Sequence, residues 1–327
     1  MDLPYAIVIG ASTGGVPALL ELIAALPADL PAIVGVVLHI GSQASVLPEL
    51  LTAQGPLRAV HPSDGQALLP GMVYVAPPDE HMLFTPDGAQ LLRGPRENHA
   101  RPAIDPLFRS TAVHWRDRAI GVVLTGHLDD GTAGLAAIKG CGGTAIVQDP
   151  ATALQPSMPA SAMNNVRVDH CLPLGGIADV LVRSVGLERS VQHPVHATLL
   201  REDAVFIGKN PMENLGAAAT PSTLTCPDCG GSLWELNEVR PLRYRCHTGH
   251  AFTAGTLANL QSQVSEHAMW SSVRSLQERE MLLRRLAVVA RATGDEHQAR
   301  VGETEARRLE RQVKTLIELI EGEVAGA

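Results

Sequence analysis

Polar side chains follow three short apolar segments that are typical of buried strands. Ser12 lies in the glycine-rich turn after YAIVIGA, His39 ends the segment AIVGVVLHI, and Asp129 and Asp130 follow AIGVVLTG. Because the carboxyl ends of parallel strands meet at one edge of a sheet, these side chains could share one cleft. In such a group the histidine takes the serine proton, a carboxylate orients the imidazole, and backbone amides hold the oxyanion. The pattern indicates acyl transfer through a serine nucleophile.

The same residues also allow simpler interpretations. A serine in a glycine-rich turn is often a helix cap or a phosphate contact, and a lone histidine can be a buried, hydrogen-bonded side chain. The turn GASTGG, however, lacks the G-x-G-x-x-G spacing of dinucleotide-binding folds, and His39 stands where their acidic residue would be. Nucleotide binding is therefore the least favoured function.

A second cluster has the residue types of a metal site. Cys226 and Cys229 form a C-x2-C pair, and sixteen residues later Cys246 and His250 form a C-x3-H pair. Three thiolates and one imidazole would complete a tetrahedral zinc site, and four protein ligands favour a structural role. His247 competes for the fourth position, but its adjacency to Cys246 makes simultaneous ligation awkward. We predict a structural zinc in a small ribbon, with unliganded thiols as the alternative.

Strand and helix patterns alternate through the first 185 residues, which predicts a doubly wound α/β fold. The candidate strands are short and continuously apolar, as in parallel sheets covered on both faces. They are YAIVIGA, AIVGVVLHI, PLRAVHP, MVYVAPP, AIGVVLTG, GTAIVQD and CLPL. The segment HMLFTPDGAQLLR carries Asp87-Gly88 between two apolar runs, which is typical of a tight hairpin. We expect a mostly parallel sheet with an antiparallel hairpin at one edge.

The pattern weakens after residue 186, and we divide the chain accordingly. We expect an α/β catalytic domain over 1–190, a linker over 191–224 that is rich in glycine, proline and alanine, and the zinc ribbon over 225–253. Residues 254–327 are charged and periodic and predict a helical hairpin. Its apolar stripes would pack against each other or mediate self-association.

Charge and hydropathy exclude several classes of protein. The 327-residue chain has a formal net charge of -8, so it has no basic excess to replace counterions along a nucleic acid. No stretch reaches the ~20 apolar residues of a membrane helix, and the N-terminus lacks the basic residues of a signal peptide. We expect a cytoplasmic protein that neither binds nucleic acid nor inserts into a membrane.

Six motifs, in order, resemble the catalytic domain of chemotaxis protein-glutamate methylesterases. They are IGASTGG, VVLHIG, VYVAPPDEHML, RPAIDPLFRS, VVLTGHLDDGTAG and QDPATALQPSMPASAM, and they cover about residues 3 to 185. The resemblance implies that Ser12 is the nucleophile, His39 the general base and Asp130 the orienting carboxylate, since Asp129 aligns with a variable position. It implies hydrolysis of glutamate γ-methyl esters on a chemoreceptor or related signalling protein, with glutamine deamidation as a side activity and no cofactor for catalysis.

The sequence departs from the family pattern in two ways. The family motif L-T-G-M-G-x-D-G has Met-Gly where this chain has His127-Leu128, and loss of the glycine could alter the backbone beside the active site. This substitution keeps open a second function, a non-catalytic signalling or receptor-binding module on the same fold. Typical members also carry a receiver domain before the esterase, whereas this sequence begins at the first esterase strand, so we expect no attached receiver. A similar ribbon and helical tail occur on some receiver-lacking relatives.

The segment ENHARPAID matches a family segment at the mouth of the cleft. His99 and Arg101 within it could contact an acidic part of a receptor, and a solvated loop is the alternative interpretation.

Overall fold

The computed structural model describes residues 4–187, 193–237 and 240–324. The chain divides into two compact units, Met1–Leu257 and Ala258–Ala327. The first unit contains both the α/β fold and the cysteine-rich segment.

The α/β fold is built on a parallel sheet of seven strands. The first nine strands of the chain are β1 (Tyr5–Ala11), β2 (Ala32–Leu38), β3 (Arg58–Val60), β4 (Met72–Val75), β5 (His81–Thr85), β6 (Gly88–Leu92), β7 (Ala119–Val123), β8 (Thr144–Gln148) and β9 (His170–Leu172). Seven of them form one sheet in the order β3-β4-β2-β1-β7-β8-β9. Each neighbouring pair is parallel.

Helices cover both faces of this sheet. They are α1 (Gly15–Ala24), α2 (Leu47–Gln54), α3 (Ile104–Trp115), α4 (Thr132–Gly140), α5 (Ser157–Asn165) and α6 (Leu174–Val185). Helices α1, α2 and α6 pack in the core on one face, and α3, α4 and α5 pack in the core on the other. Alternate residues of β1 enter the two cores, with Ile7 and Ile9 on one side and Ala6 and Val8 on the other. The predicted fold class is confirmed.

The predicted hairpin is present but does not extend the parallel sheet. Strands β5 and β6 pair with each other and form a separate two-stranded sheet. Phe84 of β5 is buried with Leu107 of α3, and the Phe84 amide donates a hydrogen bond to Ser110 Oγ at 3.1 Å. The hairpin therefore packs against α3 on one face of the parallel sheet and is not paired with either of its edge strands.

The segment assigned as a linker is largely ordered structure. It contains α7 (Ala197–Phe206), α8 (Pro211–Ala218) and the strand β10 (Ala219–Thr225), while residues 191 and 192 lie outside the described part of the chain. Leu199 and Phe206 are buried, and the Phe206 ring meets the His81 ring edge-on with centroids 5.3 Å apart. The two helices are short, so the glycine and proline residues between them concealed their periodicity. The other proposed domain boundaries remain a prediction.

The cysteine-rich segment forms an antiparallel sheet of four strands. Strand β10 is followed by β11 (Ser232–Leu236), β12 (Arg243–Cys246) and β13 (Ala251–Thr253), and the strands pair in that order. We call this sheet and its cysteine turns the ribbon.

A group of five buried charged side chains joins the ribbon to the α/β fold. We call it the buried ion cluster; its members are Glu97, Arg109, Glu202, Arg243 and Arg245. Arg109 holds both carboxylate oxygens of Glu97 at 2.7 Å, and Arg243 holds those of Glu202 at 2.7 and 2.8 Å. Arg245 joins the two pairs, at 2.7 Å from Glu97 and 2.8 Å from Glu202. Burial acts to raise the pKa of Glu202, but the surrounding guanidinium groups hold that pKa well below its usual range.

We expect Glu202→Gln to lower the free energy of unfolding by about 3–5 kcal/mol, because it leaves buried arginine charges without their partner. The Lys139–Asp169 pair is partly exposed, and Lys139→Ala as a control should cost no more than about 1 kcal/mol. Denaturant titration measures both.

A group whose folded pKa is lowered stabilises the protein above its unfolded pKa, near 4.3 for glutamate, and loses that contribution as the pH falls. The wild-type protein should therefore lose more stability than Glu202→Gln below about pH 4.5, and equal pH dependence would contradict this assignment.

The second unit is a pair of long helices, as predicted. Helix α9 (Ala254–Ala292) begins in the first unit, and α10 (Glu296–Val324) follows the turn at 293–295. Gly302 brings the helices close together, since a Cβ there would lie 3.3 Å from the Cβ of Ala287. Exposed ion pairs such as Arg291–Glu303, at 2.7 Å, join the helices across this contact. No helix among the described residues is both long and apolar enough to cross a membrane.

Candidate functional site

Ser12 lies where β1 ends and α1 is about to begin. Its amide donates to Thr125 O at 3.0 Å, which ties the turn to the segment after β7. Gly14 adopts a left-handed conformation (φ 78), which glycine takes without steric cost. Gly126 passes so close that a Cβ there would lie 2.8 Å from the Cβ of Ser12. The turn therefore depends on small residues on both of its sides.

His39 connects Ser12 to Asp130. The Nδ1 atom of its ring lies 3.1 Å from Ser12 Oγ, and its Nε2 atom lies 2.7 Å from Asp130 Oδ2. An Nε2–H that donates to the carboxylate leaves Nδ1 as the acceptor for the serine hydroxyl. The ring is thus used in the opposite sense to the trypsin-like triad, in which Nε2 faces the serine.

Asp130 is buried, and both of its carboxylate oxygens accept hydrogen bonds. His39 Nε2 and the Ile104 amide each lie 2.7 Å from Oδ2. Oδ1 accepts from Asn98 Nδ2 at 2.9 Å, from the Gly131 amide at 3.0 Å and from the Asp105 amide at 3.3 Å. The Ile104 and Asp105 amides belong to the first turn of α3, where the helix dipole also favours negative charge.

Asp130 and Asp105 are neighbouring carboxyls whose pKa values are shifted in opposite directions. Burial acts to raise the pKa of Asp130, but the hydrogen bonds from His39, Ile104 and Asn98 hold it below its usual value. Burial and the nearby Asp130 charge raise the pKa of Asp105 well above its usual range. The pair therefore carries its negative charge on Asp130, beside the histidine.

Asp129 faces away from this chain of hydrogen bonds. Its carboxylate accepts from the hydroxyls of Thr253 and Thr256, each at 2.5 Å. The geometry therefore brings together Ser12, His39 and Asp130. The Asp129 carboxylate instead binds two threonine hydroxyls.

The His127-Leu128 departure leaves the backbone in a glycine-like conformation. Leu128 has a φ of 61°, in the left-handed region where most side chains are strained. His127 is exposed, and among the described residues it makes no hydrogen bond to Ser12, His39 or Asp130. Leu128 therefore adopts a backbone conformation that glycine takes without steric cost, and both side chains are exposed.

His99 and Arg101 both have partners inside the protein. His99 Nδ1 lies 2.9 Å from Asp228 Oδ1 in the ribbon. Arg101 holds Asp79 through two nitrogens, at 2.7 and 2.9 Å, and reaches the Gly94 carbonyl at 2.8 Å. Neither is a free loop side chain, although half of the His99 side chain is exposed.

Sequence reasoning missed Asn98 and the start of α3 as parts of the site. Glu97 and Ala100 exchange backbone hydrogen bonds, and the two residues between them have positive φ, 49° for Asn98 and 61° for His99. Asparagine tolerates this conformation well. The available signal was Pro102 shortly before an apolar helical pattern, which is typical of a helix start that could bind a carboxylate.

The four predicted metal ligands lie together in the ribbon. The ligand atoms of Cys226, Cys229, Cys246 and His250 are all within 4.8 Å of one another. Cys229 Sγ lies 3.8 Å from Cys246 Sγ, and two thiolates bound tetrahedrally to one zinc ion would lie about 3.7 Å apart. His250 Nδ1 lies 3.6 Å from Cys246 Sγ, while His247 is not part of this group. Three soft sulfur donors and one imidazole fit zinc.

A doubly wound parallel sheet with a serine, a histidine and an aspartate linked at the carboxyl ends of its strands defines an α/β protein with a hydrolase-type site. Residues 7–181 match the family model described as CheB methylesterase. This chain belongs to the CheB methylesterase family.

Similar proteins agree with this assignment. A protein-glutamate methylesterase/protein-glutamine glutaminase of Maricaulis maris is 39% identical over 185 residues, which are 55% of this chain and 46% of that protein. A putative protein of the same name from Leptospira interrogans is 38% identical over 184 residues, 54% of this chain and 93% of its own. The crystal structure of the Thermotoga maritima CheB methylesterase catalytic domain covers 56% of this chain and 99% of that domain, with 32% identity and a TM-score of 0.54. The matched segment thus spans less than half of the Maricaulis protein.

Proposed function

We propose that this protein hydrolyses glutamate γ-methyl esters on a chemoreceptor or a related signalling protein, and that it can deamidate glutamine. The observation that carries the proposal is the continuous chain of hydrogen bonds from Ser12 Oγ through His39 to Asp130. The names of the related proteins, which combine methylesterase and glutaminase, support the substrate class. Methanol release from a methylated receptor by the wild-type protein and by Ser12→Ala tests it.

Each member of the triad has a distinct role in this reaction. Ser12 Oγ attacks the ester carbonyl while its proton moves to His39 Nδ1, and the resulting imidazolium is stabilised by Asp130. The tetrahedral intermediate collapses as the imidazolium returns the proton to the departing methoxide, which leaves as methanol. Water, activated by His39, then attacks the acyl-enzyme, releases glutamate and restores Ser12.

Backbone amides at the start of α1 are suited to stabilise the oxyanion. Among the described residues the Thr13 amide donates to no protein acceptor, whereas the Ser12 and Gly126 amides are used by Thr125 O and Gln155 O. Thr13 directly follows the nucleophile and lies beside the positive end of α1. We assign the Thr13 amide as an oxyanion donor, which is worth about 2.7–4 kcal/mol in comparable sites.

The left-handed conformation of Leu128 supports catalysis over the non-catalytic alternative. A binding module would need neither the glycine-like turn nor a buried carboxylate with five donors. Maintaining both is what a working triad requires.

The ribbon is proposed to hold one structural zinc ion. Cys226, Cys229, Cys246 and His250 would be its ligands, and with four protein ligands the ion supplies folding energy and leaves no position open for substrate. The esterase reaction proposed above uses only side chains and amides of the α/β fold, so we assign no cofactor to catalysis.

We expect the purified protein to contain about one zinc ion per chain, measured by plasma mass spectrometry. Cys226→Ser should abolish stoichiometric zinc and lower the thermal unfolding midpoint, because the metal replaces core packing in a small sheet. Cys171 is exposed and lies outside the group of four, so Cys171→Ser is the control and should keep its zinc. A wild-type protein that is fully folded without any metal would refute the assignment.

The proposed location is the cytoplasm, with no nucleic acid or inserted membrane segment as partner. The net charge of -8 supports this for nucleic acids. Self-association through the second unit is proposed as well. Leu282, Leu286 and Val289 of α9 are each about half exposed, which supports a contact with a second copy.

A further inference from the structure

Asn98 lies between the catalytic carboxylate and the ribbon. Its side-chain Nδ2 donates to Asp130 Oδ1 at 2.9 Å and to Asp105 Oδ2 at 3.0 Å. Its Oδ1 accepts from the Thr253 amide at 3.0 Å, and its own amide donates to Ala251 O at 2.8 Å. Ala251 and Thr253 are the two ends of β13 in the ribbon. One buried side chain therefore connects the ribbon backbone to Asp130.

The chemistry of this position suits asparagine. The side chain must present two N–H donors to two carboxyls and a carbonyl acceptor to a backbone amide at the same time. Aspartate would add a third carboxyl beside Asp105 and Asp130, and it has no N–H group to donate. The left-handed backbone (φ 49) further favours asparagine over larger residues.

Asp129, the residue before Asp130, is hydrogen-bonded to the end of β13 and the start of α9. The hydroxyls of Thr253 and Thr256 hold the Asp129 carboxylate, and Thr253 Oγ also accepts from the Thr256 amide at 3.1 Å, as a helix cap does. Gly255 lets the chain approach, since a Cβ there would lie 2.8 Å from Asp129 Oδ2. Two independent attachments therefore run from residues 251–256 to the two adjacent aspartates.

We propose that Asn98 is a positioning residue for Asp130, and that strand β13 of the ribbon holds Asn98 in place. The proposal rests on the methylesterase function proposed above. The ribbon is then a structural part of the active site, and a change in its position alters the chemical step without altering substrate binding.

Asn98→Gly in the full-length protein is the main test. Glycine keeps the left-handed backbone and removes the amide, so the fold is retained while Asp130 loses one donor. We expect kcat for methanol release to fall about 10- to 100-fold, with KM changed by less than about twofold. Labelling of Ser12 by a fluorophosphonate probe should slow by a similar factor. Asn165→Gly is the control, because within the described part of the chain the Asn165 side chain donates to Ser161 O and to no residue of the triad, and both rates should stay unchanged.

Thr253 provides a second, matched pair of variants. Thr253→Val removes the hydroxyl that holds Asp129 and keeps the side-chain shape, and Thr253→Ser keeps the hydroxyl. We expect kcat to fall about 3- to 10-fold in Thr253→Val and to stay within about twofold in Thr253→Ser. This rescue separates positioning from a loss of packing.

The outcomes separate the inference from the function on which it rests. Wild-type rates of Ser12 labelling and methanol release in Asn98→Gly would overturn the inference alone. A loss of kcat no larger than the unfolded fraction measured by circular dichroism would also overturn it. A wild-type protein that neither labels at Ser12 nor releases methanol would overturn the proposed function, and the inference with it.

Discussion

Ser12→Ala is expected to release methanol from a methylated receptor at least about 10⁴-fold more slowly than the wild-type protein. The variant lacks the oxygen that forms the acyl-enzyme. Residual rate should come only from the oxyanion donors and from substrate binding. Gas chromatography of released methanol under single-turnover conditions measures it.

The exposed serine Ser63 supplies the control for this variant. Ser63→Ala removes an exposed hydroxyl that is not part of the triad and should keep the wild-type rate. Ser63→Ala should unfold within about 0.5 kcal/mol of the wild type, as is usual for surface substitutions, and Ser12→Ala should retain the wild-type fold. Undiminished methanol release by Ser12→Ala would rule out the serine mechanism.

Asp130→Asn should lower kcat by about 10⁴-fold, as loss of the orienting carboxylate does in serine hydrolases. An asparagine has only one acceptor oxygen, whereas Asp130 accepts from five N–H groups. Three donors face the Oδ1 position and two face the Oδ2 position, so the amide NH2 should take the Oδ2 position. There it would face His39, which would lose the partner that fixes its tautomer. Steady-state kinetics with the methylated receptor measure the loss.

The adjacent carboxylate is the matched control. In Asp129→Asn the carbonyl can still accept from one threonine hydroxyl, and the amide can donate to the oxygen of the other. We expect a decrease in kcat of less than about tenfold. Equal losses in the two variants would contradict the assignment of Asp130 as the orienting carboxylate.

The positions at which the strands end could be predicted from the sequence, because they depend on short patterns of neighbouring residues. Ser12, His39 and Asp130 each follow a continuous apolar run, and parallel pairing brings such ends to one edge of the sheet. The cysteine spacing predicted the group of four candidate ligands in the same way, since the C-x2-C and C-x3-H turns each hold two of them. Both groups of residues are therefore predictable from local sequence patterns alone.

The attachment of the ribbon could not be predicted, because it depends on contacts between distant residues. Arg245 meets Glu97 across a separation of 148 residues, and no periodicity in either segment indicates the pairing. Asn98 was missed for a related reason: its role depends on a left-handed turn and on a strand that lies over 150 residues further along the chain. The hairpin β5–β6 was predicted, but its separation from the parallel sheet was not, because that depends on its tertiary packing against α3.

The use of Nδ1 by His39 has a consequence for how the catalytic distance is set. Nδ1 lies close to the main chain of the histidine, so the reach from backbone to serine is short. The His39 amide donates to Ala11 O at 3.3 Å, and Ala11 is the neighbour of Ser12 as well as the partner of Leu38 in the sheet. The pairing of two adjacent strands thus sets the distance for proton transfer. A register slip of one residue would shift His39 by about 3.3 Å along the strand and turn its side chain to the other face of the sheet.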